Sequence, residues 1–112
     1  MLEKQYEKKV KQFLMDNHVY EAGTANHMLK KPMNGWFFKV WGGGLQRSGI
    51  PDIICNINGY FVAFELKATN GHPSPLQLKN IKMITDSNGV GLIPYPKDFD
   101  LVKSVVLELI NK

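Results

Sequence analysis

Apolar positions first recur at helical spacing over residues 2 to 17, where Tyr6, Val10, Phe13 and Leu14 share one face and Lys4, Lys8 and Lys11 gather on the other. At about 100° per residue, Glu3 falls inside that apolar stripe, between Val10 and Leu14, and Glu7 sits just beyond its edge. Residues 19–35 carry no clear period. Thr24 to Lys30 is compatible with a short helical turn, stopped by Pro32 and by Asn34-Gly35. The run Trp36-Phe-Phe-Lys-Val-Trp41 is rich in strand formers and predicts a strand. The segment from Gly42 to Gly49 reads as a loop.

Two further apolar runs, 52–57 and 60–68, flank Asn58-Gly59, the dipeptide best suited to the two positive φ angles of a tight hairpin turn. Ser74-Pro75-Leu76-Gln77 then announces a helix, with Ser as N-cap, Pro at the first position and Gln at the third. That helix should reach about Ser87 and stop at Asn88-Gly89. Val90 to Tyr95 predicts a last strand closed by Pro96. From Asp98 a second amphipathic helix carries Phe99, Val102, Val105, Val106, Leu109 and Ile110. The order is α-β-β-β-α-β-α, which predicts an α/β fold with a mixed central sheet flanked by helices on both faces.

With 112 residues, residues 1–112 are expected to form a single domain. The chain is 44% apolar and 21% charged, as in an ordinary soluble globule. No apolar run approaches the roughly 18 residues of a membrane span, and the lysine-rich start lacks the apolar stretch of a signal peptide. No membrane association is therefore expected. A lone cysteine, Cys55, within an apolar run predicts a small core residue in a cytosolic protein. The net charge of +4 lies entirely in residues 1–50, which hold 8 Lys and Arg against 4 acids, whereas residues 51–112 hold 6 of each. This bias fits either a solvated lysine face or an anionic partner such as nucleic acid.

Candidate chemistry centres on the hairpin. A two-residue loop at Asn58-Gly59 pairs residues whose numbers sum to 117, so Asp52 stands opposite Glu65. Carboxylates inside apolar strands are costly, and directly opposed like charges repel unless something positive lies between them. A hard divalent cation, Mg²⁺ or Mn²⁺, answers both difficulties. Lys67 lies on the same strand face as Glu65, one step along. Elsewhere, Gly42 to Gly44 lack the Gly-Lys-Ser/Thr of a phosphate loop, so no nucleotide cofactor is expected. His18, His27 and His72 show no zinc spacing. Trp36 and Trp41 are expected as core or interface anchors.

The block Arg47-Ser48-Gly49-Ile50-Pro51-Asp52-Ile53-Ile54, then Gly59 to Lys67 ending in Phe64-Glu65-Leu66-Lys67, then Pro73-Ser74-Pro75-Leu76-Gln77, resembles the VRR-NUC branch of the PD-(D/E)xK nuclease superfamily. The resemblance is close over residues 45–95, loose over residues 1–18, and does not extend to residues 19–41. It implies a restriction-endonuclease-like core and a metal-dependent, structure-specific DNA endonuclease using one or two Mg²⁺ or Mn²⁺ ions. Asp52 and Glu65 would be metal ligands, joined by the Leu66 backbone carbonyl. Lys67 would orient the attacking water and offset charge on the scissile phosphate. The family also places a glutamate on the first helix, for which Glu3 is the best match and Glu7 the alternative. Gln77 corresponds to a family glutamine that helps position water or phosphate, although Ser74 and Gln77 also have the spacing of a capping box.

Gln46, Arg47 and Ser48, with Lys4, Lys8 and Lys11, are the candidate DNA-contacting residues. By the same resemblance the substrate is branched DNA, a four-way (Holliday) junction resolved by a homodimer in the cytoplasm of a bacterium or phage-infected host. Rival readings are a monomeric flap- or end-processing nuclease, a DNA-binding module with a vestigial nuclease site, and an anion-binding protein with no nucleic-acid role.

Overall fold

The structure is a computed structural model that describes residues 1–41 and 48–112. Three helices, α1 (Glu3–Asp16), α2 (Pro75–Asp86) and α3 (Phe99–Ile110), surround a mixed sheet of five strands. These are β1 (Val19–Glu21), β2 (Gly35–Lys39), β3 (Ile53–Ile57), β4 (Tyr60–Phe64) and β5 (Val90–Leu92), adjacent in chain order. The outer pairs β1/β2 and β4/β5 are parallel, and the two inner pairs are antiparallel. The α/β class and the helix-flanked mixed sheet agree with expectation. One strand was not foreseen: β1 is only three residues long, too short for an alternating pattern to register. The short turn expected nearby is a 3₁₀ turn at Asn26–Met28.

The hairpin forms in the register that its turn dictates, from Ile57 opposite Tyr60 to Ile53 opposite Phe64. Asn58 and Gly59 take φ of 52° and 87°, the positive pair that a two-residue hairpin loop needs. Asn58 also donates its side-chain amide to the Leu109 carbonyl at 2.9 Å, tying the turn to the end of α3.

Strand alternation divides the sheet into two unequal faces. Phe37, Ile53, Cys55, Ile57, Val62 and Phe64 point into a core shared with Tyr6, Val10 and Leu14 of α1 and Val102, Val106 and Leu109 of α3. Cys55 is buried there as expected, and burial pushes its thiol up to about 12. The opposite face receives α2, whose Met83 and Ile84 line a cavity with Ile54 and Phe61. Trp36 is 44% exposed and Trp41 is 70% exposed, so of the core or interface roles expected of the tryptophans the core one does not hold. Trp36 lies against Phe38 on β2, and Trp41, past the end of that strand, lies under the Lys39 ammonium. Among the described residues, no helix is long and apolar enough to cross a membrane.

Candidate active site

The two acids meet because both strands run out at the same place. Ile53 and Phe64 are the last partners of the β3/β4 ladder, and the next residues in that register are Asp52 and Glu65. Asp52 is fixed from two sides: its carbonyl accepts the Val40 N–H at 2.7 Å, and its Oδ2 accepts the Leu66 N–H at 2.8 Å. Glu65 is fixed from the other edge, its N–H donating to the Leu92 carbonyl at 2.9 Å. Lys67 follows, donating its N–H to the Pro94 carbonyl at 3.3 Å. The strand expected over 60–68 thus ends at Phe64, and beyond it Glu65 and Lys67 keep single backbone bonds to Leu92 and Pro94 before the chain turns at Ala68.

The approach to Asp52 is held by α2. Asn80 Nδ2 donates to the Gly49 carbonyl at 2.9 Å. Gly49 has φ +80°, and a Cβ there would stand 2.6 Å from Leu76 Cγ, so glycine alone gives both the backbone angle and the close approach. Nothing in the sequence flagged Asn80, because an isolated asparagine in a helix carries no periodic or motif signal.

Glu65 is the one charged residue among the described residues that is fully buried, at 2% exposure. Its Oε2 lies 3.2 Å from Lys67 Nζ, and its Oε1 is buried with no hydrogen-bond partner among the described residues. Burial first, then the Asp52 charge, push the Glu65 carboxyl up to about 7, against the opposing pull of Lys67. Among the described residues the one ammonium bridged to this pair is Lys67, held to Glu65 alone, so the ionised cluster is short of positive charge. An orphaned carboxylate oxygen beside a second carboxylate is a donor set suited to a hard divalent cation. The Leu66 carbonyl is the backbone oxygen between Glu65 and Lys67, and the Leu66 side chain is fully buried.

The remaining candidates are not all brought to this pair. Glu3 is exposed, contrary to its inward position on the helical wheel, because the stripe covered by the sheet begins one turn later, at Tyr6. Glu7 is half-buried and its carboxylate is paired with the Lys39 ammonium. Among the described residues, no three His, Cys, Asp or Glu side chains converge on one point, so neither glutamate joins Asp52 and Glu65. Gln77 closes a capping box: its N–H donates to Ser74 Oγ at 3.1 Å, and its Oε1 accepts the Ser74 N–H at 2.8 Å. That bond occupies the Gln77 carboxamide oxygen.

Of the basic candidates, Lys4 and Lys8 are exposed, whereas Lys11 is bridged to Glu21 at 3.0 Å. Ser48 is exposed; Gln46 and Arg47 lie outside the described residues. Deeper in the core, the Tyr6 hydroxyl is buried without a partner among the described residues, and burial, then the Asp98 charge, push it up to about 12.

Comparison of the chain with family models, with curated proteins and with solved structures finds no match.

Proposed function

We propose that the chain is a metal-dependent nuclease that hydrolyses phosphodiester bonds in DNA. The observation that carries this reading is Glu65: a buried carboxylate with one orphaned oxygen, next in register to Asp52 and 3.2 Å from the Lys67 ammonium. A core that tolerates such a group pays in stability, and function is the usual reason for a perturbed acid in a specific charge environment. Asp52, Glu65 and the Leu66 carbonyl would hold Mg²⁺ or Mn²⁺. When bound, the ion polarises the phosphate and makes water more acidic.

The protein's own groups supply the rest. Asp52 and Glu65 are held by hydrogen bonds with the backbone of Val40, Leu66 and Leu92, so their spacing costs nothing at the moment of reaction. Lys67 is mostly buried, and its ammonium both steadies Glu65 and offers a positive charge to a phosphate oxygen. The motif resemblance, through Ile50-Pro51-Asp52 and Glu65-Leu66-Lys67, supports the same assignment and adds 5′-phosphate and 3′-hydroxyl products. The net charge of +4, with exposed Lys4 and Lys8, suits a polyanionic partner. Cleavage of four-way junctions by a homodimer in the cytoplasm is the finer form of the proposal and rests on the resemblance.

The deciding experiment incubates purified protein with four-way-junction, flap and linear duplex DNA in Mg²⁺, Mn²⁺ or EDTA, with light scattering of the same sample. Metal-dependent cutting that Lys67→Ala abolishes is the expected result. Cutting that survives in EDTA or in Lys67→Ala defeats the site assignment, and a monomer on and off junction DNA defeats paired resolution.

A second reading is favoured by one observation: no third acid converges on the pair among the described residues. It makes the chain a DNA-binding module with a vestigial site. Calorimetric titration with Mn²⁺ separates the two, since a vestigial site gives salt-dependent DNA binding without metal binding.

A further inference from the structure

Just beyond Lys67, two segments that had run side by side separate. Lys67 is still paired with Pro94, but the chain then turns at Ala68 to Gly71, closed by the Gly71 N–H donating to the Ala68 carbonyl at 2.9 Å. The other segment turns away at Tyr95, whose N–H donates to Asp98 Oδ2 at 2.9 Å, and enters the 3₁₀ turn Pro96–Asp98. Between them lies a cavity of about 370 Å³ lined by Thr69, Gly71, His72, Tyr95, Pro96 and Lys97. We infer that this cavity is a nucleotide subsite, receiving one nucleotide of the DNA strand beside the phosphate held at Lys67. The inference rests on the nuclease reading and deepens it.

Position is the first support. A Cβ on Gly71 would stand 3.5 Å from Lys67 Cδ, so the Lys67 stem and the cavity share a wall. A strand whose phosphate reaches the Lys67 ammonium therefore has its neighbouring nucleotide at the cavity mouth.

Chemistry is the second. His72 and Lys97 are the basic side chains of the lining, and no carboxylate is in it. The adjacent acid, Asp98, is turned inward as an acceptor for the Tyr95 N–H. Tyr95 is pinned, its hydroxyl donating to the Gly71 carbonyl at 2.8 Å across the cavity, and the Lys97 ammonium stands 6.0 Å from its ring centroid. An immobilised aromatic ring beside an exposed cation is the pairing used for single-stranded nucleic acid, the ring for the base and the cation for the phosphate. The cavity beneath α2, around Ile54, Phe61 and Met83, is apolar and has no cation in its lining.

Size is the third. At about 370 Å³ the cavity lies near the lower end of ligand pockets, which run from about 300 to 1,000 Å³. It holds one nucleotide and excludes a duplex, which implies a strand end or an unpaired position at the cleavage point.

The test measures binding of fluorescein-labelled single-stranded and branched DNA by anisotropy across a salt series, with Ca²⁺ replacing Mg²⁺, for the parent, Lys97→Ala, Tyr95→Leu and Tyr95→Phe. Lys97→Ala should weaken binding several-fold and lower the salt slope by about one. Tyr95→Leu should weaken it by roughly 5- to 100-fold. Tyr95→Phe keeps the ring and should bind within about threefold of the parent, which separates stacking from the hydroxyl tie. Calorimetric Mn²⁺ affinity and thermal midpoint should be unchanged in Lys97→Ala. Parental affinity and slope in both Lys97→Ala and Tyr95→Leu overturn the subsite while leaving the nuclease reading intact if the parent still cuts. A parent that binds no DNA overturns both. Competition by a free mononucleotide as effective as the DNA itself overturns placement of a strand in the cavity.

Discussion

The Asp52 carboxylate accepts the Leu66 N–H at 2.8 Å, a side-chain bond at the point where the backbone ladder of β3 and β4 has ended. The same carboxylate therefore closes the hairpin and faces the buried Glu65. Substitutions at Asp52 should separate the two duties. Asp52→Asn keeps an acceptor oxygen but loses the charge, so metal-dependent cleavage should fall at least about 100-fold. Its metal-free thermal midpoint should not drop, because repulsion with Glu65 is relieved. Asp52→Ala should lose cleavage equally and also about 1.5–3 kcal/mol of stability, the worth of a hydrogen bond to a charged group. Parental cleavage by Asp52→Asn would remove Asp52 from the site.

Glu65 makes stability depend on pH in an unusual direction. Its carboxyl is raised from 4.5 to about 7, burial being the larger cause and the Asp52 charge the next. The folded protein thus holds this proton more tightly than the unfolded chain does. The stability contributed by the neutral acid is complete below about 4.5 and is lost as pH rises through about 7. The loss amounts to about 3 kcal/mol at most, at 1.36 kcal/mol per pKa unit. Metal-free Glu65→Gln should accordingly unfold several degrees above the parent at pH 8 and show no such gain at pH 4. Mn²⁺ should stabilise the parent more at pH 8 than at pH 6, since an ion binds the ionised carboxylate. A parent-to-variant difference that is flat across this range, measured by calorimetric unfolding, would contradict an ionised, buried Glu65.

The Asn80 bond to the Gly49 carbonyl couples α2 to the approach to Asp52. Asn80→Ala removes a positioning contact and no ligand, so Mn²⁺ affinity should fall by about 10-fold, in the range seen when the supports of metal ligands are removed. Asn80→Asp retains an acceptor but not the donor and should not rescue it. Gly49→Ala should be worse, because its methyl would meet Leu76 Cγ at 2.6 Å and the backbone sits at φ +80°. Calorimetry on both, with thermal unfolding to show that the fold persists, checks the order. Unchanged Mn²⁺ affinity in Asn80→Ala would show that the loop holds itself.

The hairpin, the amphipathic helices α1 and α3 and the capping box at Ser74 and Gln77 were legible because each depends on a local signal: a turn dipeptide, a helical period, a cap spacing. Register then placed Asp52 beside Glu65 by counting alone. The parts that were not legible depend on tertiary placement. β1 gains its identity from pairing with β2 over three residues. Trp36 and Trp41 have core composition, but one stands on a half-exposed strand position and the other past the end of β2. A helical wheel ranks directions around α1, not where along its axis the sheet begins to cover it, and Glu3 lies one turn short of that cover. Asn80 acts through a contact 31 residues away in sequence, which no window reveals.

The first helix offers the sharpest remaining contrast, between Glu3 and Glu7. Glu7 is half-buried and paired with Lys39, whose ammonium also lies 4.8 Å from the Trp41 ring centroid. Glu7→Ala leaves that ammonium without its partner carboxylate and should cost about 1–2 kcal/mol, less than a fully buried pair because both groups retain some solvent. Glu3 is exposed at the helix start, so Glu3→Ala should change stability by no more than about 0.5 kcal/mol. With no third acid joining Asp52 and Glu65 among the described residues, both variants should bind Mn²⁺ within about threefold of the parent, a far smaller change than loss of a ligand's support brings. A tenfold loss of Mn²⁺ affinity in Glu3→Ala, without loss of stability, would show instead that the first turn of α1 swings its carboxylate to the metal when the ion is present. The same loss in Glu7→Ala, undone by a compensating Lys39→Met, would trace the defect to the stranded ammonium and not to a missing ligand.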